Sequence, residues 1–384
     1  MPPPLAGRRV QVAGSVDAAT AATLAHFGHE VVRRVVAGII EQGGGLVIGA
    51  GKEPRLASGE GQVFDWTVLD AVAQAVQDAR FAESEYSNQP VVVVLSEKGE
   101  SEIPDVRRPL WDTLLRSGKV EVRRIMAGAR SGAMIRHEQA SHGDILLILG
   151  GGTGVEHLAE MYRRSLKPVI PLDVPLGASR ADGTGGAERL ARESRRDPQA
   201  FIRFGGGDAG GEGAALSTIA TNAGTGDADR IAAAVQAVLL KLIRPTAFYV
   251  RLLNREHPRF GDVERFFRGV VDPVVDERGL TRIDLGVDPV ESGFLNVEVF
   301  RRLHYAATAI VDVTGERPNC FIELGYALGR EMRVICTAAE GTALPFDQVA
   351  IPCHFWSPTR SDADRRKELQ MFWSHNAKRS PLVS

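Results

Sequence analysis

The sequence predicts an α/β fold made of two Rossmann-like domains, each built around a parallel β-sheet. Short apolar runs alternate with helical patterns along most of the 384 residues. These runs are continuously apolar, which is typical of parallel strands that helices cover on both faces. The length itself favours two domains, because a single hydrophobic core rarely grows to this size.

In the first half, six strand patterns alternate with helical patterns up to about residue 172. The strand segments are RRVQVAGS, GLVIGAG, PVVVVLSE, VEVRRIM, DILLILGG and KPVIPL. A doubly wound sheet of this kind binds ligands at the carboxyl ends of its strands, beside the switch point in strand order.

Between residues 177 and 230 the composition changes, because Gly, Ala and charged residues become dense. This composition predicts loop or mobile segments, among them a Gly-rich segment at 205–226. The amphipathic helix DRIAAAVQAVLLKLI follows, and an Arg-Pro pair ends it. We therefore predict a larger domain at 1–244 and a smaller one at 245–384.

The second half shows the same alternation in a smaller unit. Its strand patterns are TAFYVRLL, TRIDLGV, TAIVDV and RVICTA. Its helical patterns are VERFFRGVVDPVVDERG, NVEVFRRLHYA, PNCFIELGYALGR and ADRRKELQMFWSHNA. We expect a second parallel sheet with its own ligand-binding edge.

Composition and charge argue against several functional classes. The net charge of −2 gives no support to a nucleic-acid binder, and no apolar run approaches the roughly 18–20 residues that span a bilayer. The N-terminus MPPPLAGRRVQVAGS lacks a signal-peptide pattern. Cys320, Cys336 and Cys353 stand in no metal-binding spacing, which indicates reduced thiols. We expect a cytoplasmic protein that uses no metal, membrane or nucleic acid.

Three glycine-rich turns in the first half are candidates for binding phosphate. Glycine lets backbone N–H groups approach a phosphate, and a helix that starts there adds a partial positive charge. GAGKE is not a Walker A loop, because Glu53 stands where Ser or Thr would hold magnesium. Three such turns at the strand ends of one sheet favour a nucleotide-like ligand. The predicted contacts are Gly14, Ser15, Gly49, Gly51, Gly150, Gly151, Gly152, Thr153 and Gly154.

These segments resemble the SLOG superfamily, which contains the cytokinin-activating LOG enzymes and the DNA-processing Smf/DprA proteins. The resemblance covers roughly residues 8–172 and rests on VQVAGS, LVIGAG, ARSGAMIRHEQ and DILLILGGGTGVEHLAE. It implies that Arg130, Arg136 and Glu156 complete the nucleotide site. The Pro-Gly-Gly-x-Gly-Thr-x-x-Glu segment of LOG enzymes is altered, since Leu149 replaces the proline and the later Gly and Thr are transposed. A nucleotide sensor is therefore the role that the resemblance implies for this half.

Two carboxylates mark the second half. Asp312 ends the strand TAIVDV, where a parallel sheet places its chemistry, and Glu323 follows on the next helix. If that helix begins near Pro318, Glu323 lies on its second turn and faces the cleft, while Leu324 and Leu328 belong to the buried stripe. Spacing alone leaves an alternative equally open, in which Asp312 caps a turn and Glu323 is a solvated or ion-paired helix residue.

The segment IVDVTGERPNCFIELGYALGREMRVICTA closely resembles nucleoside 2-deoxyribosyltransferases and their TIR-like glycohydrolase relatives. The resemblance covers about residues 246–357. It implies that Glu323 is the nucleophile or oxocarbenium stabiliser at the anomeric carbon of an N-glycoside, and that Asp312 contacts the ribose or donates a proton. A partly desolvated carboxylate beneath the sugar stabilises such a cation. The further substrate contacts that we expect are Asn319, Tyr326, Tyr249, Arg251 and Asp347.

The first interpretation is therefore a two-domain signalling effector. Its N-terminal domain binds a nucleotide-derived ligand, and its C-terminal domain cleaves an N-glycosidic bond in NAD or a related nucleotide without a cofactor. The resemblance implies a homo-oligomer and a role in bacterial defence or stress. Two alternatives stay open: a nucleoside or nucleotide 2-deoxyribosyltransferase with a regulatory domain, and a non-enzymatic nucleotide-binding protein.

Overall fold

The chain folds into two compact units, Met1–Ile243 and Arg244–Ser384. The boundary predicted from the sequence lies one residue later. Both units are α/β and each contains a parallel sheet, which confirms the predicted fold class. The computed structural model describes residues 3–81, 89–126, 128, 131–177, 185–204, 211–224, 226–285, 295–330, 332–344 and 351–376, with the backbone alone at 295–298.

The N-terminal unit contains a six-stranded parallel sheet with helices on both faces. Its strands are β1 (Arg9–Ser15), β2 (Gly45–Gly49), β3 (Val91–Ser96), β4 (Val120–Ile125), β5 (Ile145–Gly150) and β6 (Val169–Leu172). Its helices are α1 (Ala22–Glu41), α2 (Asp65–Gln77), α3 (Glu97–Ser101), α4 (Arg108–Arg116), α5 (Ser131–His142), α6 (Thr153–Arg164), α7 (Gly186–Arg196), α8 (Gly211–Ala223) and α9 (Ala228–Lys241).

Strand β3 shows why the predicted strands are continuously apolar. Val91 and Val93 belong to the main core, whereas Val92 and Val94 pack on the other face in a cluster that includes Ile135 of α5. Each such valine contributes roughly 1.5–3 kcal/mol of hydrophobic stabilisation when it leaves water. A strand buried on both faces therefore needs apolar side chains at successive positions.

The strand order β4-β3-β2-β1-β5-β6 sets the position of the first candidate site. The chain runs outward from β1 to β4 and then returns to the other side of β1 as β5. The switch point thus lies between β1 and β5, where Gly14 pairs with Leu149 and Ser15 pairs with Gly150. Two of the predicted glycine turns meet at the place where doubly wound sheets bind ligands.

The prediction of loop or mobile segments between 177 and 230 is wrong for two stretches, which form α7 and α8. The buried residues of α8 include Leu216, Ile219 and Ala223, three to four positions apart. Small residues dilute this stripe in the sequence, and tertiary packing outweighs the weak helix propensity of the glycines. Residues 205–210 of the predicted Gly-rich segment lie outside the described part.

The C-terminal unit contains a five-stranded parallel sheet in the order β11-β10-β9-β7-β8. Its switch point lies between β7 and β9. Its edge strand β11 was not predicted from the sequence and follows an undescribed stretch. The strands are β7 (Thr246–Val250), β8 (Thr281–Ile283), β9 (Thr308–Asp312), β10 (Arg333–Ala339) and β11 (Cys353–Trp356). The helices are α10 (Phe260–Phe266), α11 (Asp272–Glu277), α12 (Leu295–His304), α13 (Pro318–Gly329) and α14 (Asp362–Asn376), with a π-helical segment between α10 and α11.

The two faces of this second sheet hold separate apolar clusters. Tyr249 packs with residues of α10, α11 and α14 on one face. Phe248 packs with Leu324 and Leu328 of α13 on the other face. Neighbouring residues of β7 point to opposite faces because the side-chain period of a strand is two. A site on the α13 face therefore excludes the side chain of Tyr249.

Among the described residues, no helix combines the length and the apolar character needed to cross a membrane.

Candidate functional sites at two sheet edges

Helix α13 carries Glu323 beside the carboxyl edge of the C-terminal sheet. The helix begins at Pro318, whose fixed φ suits a first helical turn. This start places Glu323 on the second turn, next to the buried stripe, as the sequence predicts. The buried residues of the helix are Cys320, Leu324, Ala327 and Leu328.

Glu323 is a half-buried carboxylate that has no hydrogen-bond or ion-pair partner in the described part of the chain. Burial raises the pKa of Glu323 to about 7. The partial positive charge of a helix N-terminus acts mainly within the first turn, so α13 does little to offset this desolvation. At neutral pH the side chain is therefore divided between its ionised and protonated forms.

Asp312 ends β9, as predicted, and is completely buried. Its Oδ1 accepts a hydrogen bond from the backbone N–H of Thr314 (3.1 Å). Its Oδ2 accepts from the hydroxyl of Thr337 (2.8 Å) and from the indole N–H of Trp356 (2.9 Å). Burial raises the pKa of Asp312 even though these donors favour the ionised form. The carboxylate thus ties β9 to β10 and β11, and a ribose hydroxyl would have to replace one of these donors to reach it.

The thiol of Cys320 connects the two acids. Burial, followed by the negative charges of Glu323 and Asp312, raises the pKa of Cys320 to about 12. Both carboxylates therefore lie close enough to Cys320 to act on it electrostatically. The end of β9 and the second turn of α13 therefore both lie near Cys320, and the prediction that the two carboxylates serve one substrate stays a prediction.

Asn319 and Tyr326 lie on the same helix as Glu323. Asn319 is exposed. Tyr326 is half-buried, with its hydroxyl 2.7 Å from Nδ1 of His304 and its ring in edge contact with Phe300. Ile322, next to Glu323, is 59% exposed. This part of α13 is therefore open to an incoming molecule.

Arg251 follows β7 and is held by two carboxylates. Its guanidinium donates to Glu264 (2.6 Å) and, through two nitrogens, to Asp284 (2.8 and 3.0 Å). The side chain is 4% exposed. The other oxygen of Glu264 pairs with Arg268 (2.7 Å), and the guanidinium of Arg251 lies over the ring of Phe267, in the apolar cluster that also contains Tyr249. A phosphate would therefore reach Arg251 only by displacing one of its present partners.

Two other predicted substrate contacts are not brought to this site. Tyr249 is buried on the opposite face, where its hydroxyl donates to Asp272 (3.0 Å). Its predicted substrate contact therefore has no support from the geometry. Asp347 lies outside the described residues.

In the N-terminal unit, Gly14 and Gly150 bring the ends of β1 and β5 into close backbone contact. A Cβ at Gly14 would lie 1.8 Å from the carbonyl oxygen of Leu149, and one at Gly150 would lie 2.2 Å from that of Ser15. Gly150 also has a φ of +62°, which favours glycine. The backbone N–H of Gly151 donates to Ser15 (2.8 Å). Close packing of β1 against β5 therefore requires glycine at these positions, whether or not they also contact a ligand as predicted.

Helix α6 begins at this edge and is the better candidate for a phosphate site. The N–H groups of Thr153 and Gly154 lie in its first turn, where no intrahelical acceptor is available. A Cβ at Gly154 would meet only Nη1 of Arg136, at 3.9 Å, among the described atoms. Arg136 donates from Nε to Nδ1 of His157 (3.3 Å). An open helix N-terminus and a guanidinium together suit an anion.

Glu156, on the same helix, is bound to residues of helix α7 in the same chain. Its Oε1 accepts from the backbone N–H of Gly186 (3.0 Å), and its Oε2 lies 3.7 Å from Nη1 of Arg189. It thereby caps α7, and its predicted ligand contact stays a prediction. Arg130 lies outside the described residues.

Gly49 and Gly51 follow the neighbouring strand β2. A Cβ at Gly49 would lie 3.0 Å from Oδ2 of Asp65, the first residue of α2. Gly51 contributes its carbonyl oxygen to a hydrogen bond from the indole N–H of Trp66 (3.1 Å). Gly49 thus borders a carboxylate that the sequence analysis did not identify.

Asp65 is that carboxylate. It is half-buried and has no hydrogen bond or ion pair within the described residues. Burial raises the pKa of Asp65 to about 6. An acid at a helix start usually interacts with the helix dipole, so the local sequence gave no signal that distinguished it.

A polar cavity of about 100 Å³ lies between α1, α2 and the segment after β2. Arg107 crosses it to pair with Glu53 and Asp70. Of the predicted nucleotide-binding residues that the structure describes, none lines this cavity. Its charges are already matched by one another, so it does not support a ligand site.

Among the described residues, no group of three His, Cys, Asp or Glu could hold a metal ion. The three cysteines are free thiols. Cys336 and Cys353 face each other in register on β10 and β11.

Comparison with known sequences identifies the N-terminal unit. A family model described as ATP nucleosidase Cap17-like, N-terminal, matches residues 5–238, which is more than half of the chain. The chain belongs to this Cap17-like family. The Cap17-like region coincides with the unit that carries the glycine edge, whereas Glu323 lies beyond it.

Two curated relatives, both named ATP nucleosidase Cap17, come from Escherichia coli, one of them from strain KTE188. Each is 26% identical over 176 residues, which cover 46% of the present chain. The chain spans about a third of the length of these relatives, 34%. No solved structure matches it at a significant level.

Proposed function

We propose that this Cap17-like chain is a nucleotide-responsive effector. Its SLOG-like N-terminal unit binds a nucleotide-derived ligand, and its deoxyribosyltransferase-like C-terminal unit cleaves the N-glycosidic bond of a nucleotide. The observation that carries the proposal is the position of Glu323 at the carboxyl edge of a parallel sheet. Its carboxylate is half-buried and has no partner among the described residues. The name of the relatives, ATP nucleosidase, supports N-glycoside chemistry on a nucleotide.

In the proposed reaction, the bond between the anomeric carbon and the base nitrogen breaks, and its electron pair leaves with the base. The ionised carboxylate of Glu323 faces the sugar cation that develops and stabilises it, electrostatically or through a transient ester. Water then adds its oxygen to the anomeric carbon and releases a proton to Glu323 or to solvent. Asp312 holds the strand end beside this carboxylate through its three hydrogen bonds.

The carboxylate of Glu323 favours a substrate with a cationic base, such as NAD. When ionised, it places a negative charge at this edge, and no basic side chain among the described residues pairs with it. A positive nicotinamide ring is attracted to such an edge and lowers the pKa of Glu323 toward its ionised form. Nicotinamide also leaves as a neutral base without being protonated.

A purine nucleotide such as ATP is the second candidate substrate, favoured by the name of the relatives. Adenine leaves most readily when it is protonated. Glu323, with a pKa of about 7, is partly protonated at neutral pH and could supply this proton. The two substrates therefore require opposite protonation states of the same side chain.

We further propose that the chain forms a homo-oligomer and acts in bacterial defence or stress, where loss of a nucleotide stops growth. The alternatives predict different products. A deoxyribosyltransferase exchanges bases between two nucleosides faster than it hydrolyses them, and a binding protein leaves all nucleotides intact.

Chromatography of NAD, NADP, ATP and deoxynucleosides after incubation with the purified chain tests the proposal. Wild type should release nicotinamide or base, and Glu323→Gln should reduce the rate at least about 1,000-fold. Glu277→Gln is the matched control, because Glu277 binds Gln370 at the end of α11 and should leave the rate unchanged. Equal rates of base release in wild type and Glu323→Gln would exclude Glu323 as the catalytic carboxylate.

A further inference from the structure

Asp65 differs from the other acidic residues of its helix. Asp70 pairs with Arg107, and Asp78, which caps the helix, pairs with Arg80 and accepts from Gln74. Asp65 has no such partner within the described residues, although its surroundings desolvate it enough to shift its pKa. Its oxygens are not among the buried polar atoms that lack a hydrogen bond, so solvent still reaches them. The carboxylate is therefore free to accept from a ligand.

The backbone leaves space for this carboxylate at the edge of the sheet. Asp65 opens the 13-residue helix α2, and the end of β2 approaches it at Gly49. Any side chain at position 49 would begin 3.0 Å from Oδ2 of Asp65 and would compete for its space. The carboxylate thus lies at the carboxyl edge, where parallel sheets bind ligands, and does not point to the outer surface of the helix.

Asp65 and the anion site at α6 lie at the starts of two helices that follow nearby strands, β2 and β5. The sheet order places β2, β1 and β5 side by side, so the ends of β2 and β5 are roughly 10 Å apart, which is two strand spacings. A ribose phosphate with a hydrogen bond at each end spans such a gap. Ser15, at the end of β1, forms a bridge with Val63, and the N–H of Val16 donates to Gln62 (2.7 Å), so the chain just before Asp65 lies against this edge of the sheet.

We propose that Asp65 is the ribose-binding carboxylate of the N-terminal unit, and that this unit takes a ribonucleotide. The sugar hydroxyls donate to Asp65, while the phosphate lies at the first turn of α6 beside Arg136. The proposal rests on the nucleotide-binding role proposed above for this unit and adds the group that recognises the sugar. A ribose diol supplies two donors, which matches a carboxylate that can only accept when ionised.

Calorimetry on the full chain tests this assignment. The chain carries Glu323→Gln so that the probes are not consumed. The probes are ATP, ADP-ribose and 2′,3′-dideoxyATP, which lacks both ribose hydroxyls. When Asp65 is present, ATP should bind at least about ten-fold more tightly than the dideoxy probe, because the dideoxy probe cannot donate a hydrogen bond to the charged carboxylate. Asp65→Asn should reduce this preference to less than about two-fold, and ADP-ribose should weaken by at least about ten-fold.

Asp78→Asn is the matched control, since it changes an exposed acid at the other end of α2 and should keep the preference for ATP. Asp65→Asn should melt at the same or a higher temperature, because an amide avoids the cost of a desolvated charge. This excludes misfolding as the cause of weaker binding.

Two outcomes would overturn the assignment. If the Asp65→Asn variant binds all three probes as tightly as the chain that keeps Asp65, Asp65 does not bind the sugar, while the nucleotide-binding role of the unit stands. If none of the probes binds, both the assignment and that binding role fall. Neither outcome alters the test of the glycosidase, which is read from base release at the C-terminal unit.

Discussion

The two units place different chemistry on the same kind of sheet edge. In the N-terminal unit, glycines bring β1 and β5 together, and the first turn of α6 lies beside Arg136. In the C-terminal unit, Asp312 and Glu323 occupy the corresponding edge beside β7 and β9. An edge of backbone N–H groups suits an anion, whereas an edge of desolvated carboxylates suits a sugar cation. The fold provides the location, and the side chains decide between binding and catalysis.

The family relationship covers only one side of this comparison. The Cap17-like match ends at residue 238, before the C-terminal unit begins. The proposed catalytic role of Glu323 therefore depends on the geometry of α13 and on resemblance, and the predictions below test each edge separately.

The largest effect on stability is expected at Asp312. Asp312→Ala leaves the N–H of Thr314, the hydroxyl of Thr337 and the indole of Trp356 without their acceptor. The free energy of unfolding should fall by about 3–5 kcal/mol in urea titrations. The control Asp276→Ala removes an exposed ion pair with Arg282 and should cost less than about 1 kcal/mol. Similar losses in both variants would show that Asp312 does not tie the strand ends together.

At the other edge, Gly150→Ala should lower the free energy of unfolding of the N-terminal unit by about 2–4 kcal/mol and remove ATP binding. The new Cβ would collide with the carbonyl of Ser15. Gly118 has a similar φ of +66° but no atom near its Cβ position, so Gly118→Ala should cost about 1 kcal/mol from φ alone. Equal costs for the two variants, measured by thermal unfolding, would refute close packing of β1 against β5.

The rate of nicotinamide release should depend on pH through Glu323. Because its folded pKa is about 7, kcat/KM for NAD should rise about ten-fold per pH unit below 7 and level off above 8. Its pKa is raised relative to the unfolded chain, so the stability linked to Glu323 is fully present below about pH 4.5 and is lost as pH rises through 7. Glu323→Gln should remove this loss. A rate that falls with rising pH would instead assign the protonated form as the active one.

The smallest effect is expected at Arg136. Arg136→Ala should weaken ATP binding by about ten-fold, through loss of one charge-assisted hydrogen bond, and leave thermal stability unchanged. Arg164→Ala, at the other end of α6, removes an exposed pair with Glu160 and serves as the control. If both variants bind ATP as wild type does, the phosphate does not lie at the start of α6.

Local sequence patterns predicted the elements that place both edges. The apolar runs identified the strands on both sides of each switch point, and Pro318 located the start of α13 correctly. The buried stripe with Leu324 and Leu328 followed from helical spacing alone. These features are local, so short windows of sequence contain the information.

What the sequence could not reveal depends on contacts between distant segments. Trp356 reaches Asp312 across 44 positions, and Glu264 and Asp284 hold Arg251 from separate elements. Asp65 looks like an ordinary acid at a helix start until the fold shows that it has no partner among the described residues. Which charged side chains are buried, and which are paired, is determined by the folded structure and not by short stretches of sequence.

Base release measured side by side for wild type, Glu323→Gln and Asp65→Asn tests the division between the two edges most directly. NAD and ATP are incubated with each protein, and nicotinamide and adenine are quantified by chromatography. We expect no release by Glu323→Gln, and release by Asp65→Asn that approaches the wild-type rate at high nucleotide concentration. Release by Glu323→Gln at the wild-type rate, together with its loss in Asp65→Asn, would place the chemistry at the glycine edge and contradict this account.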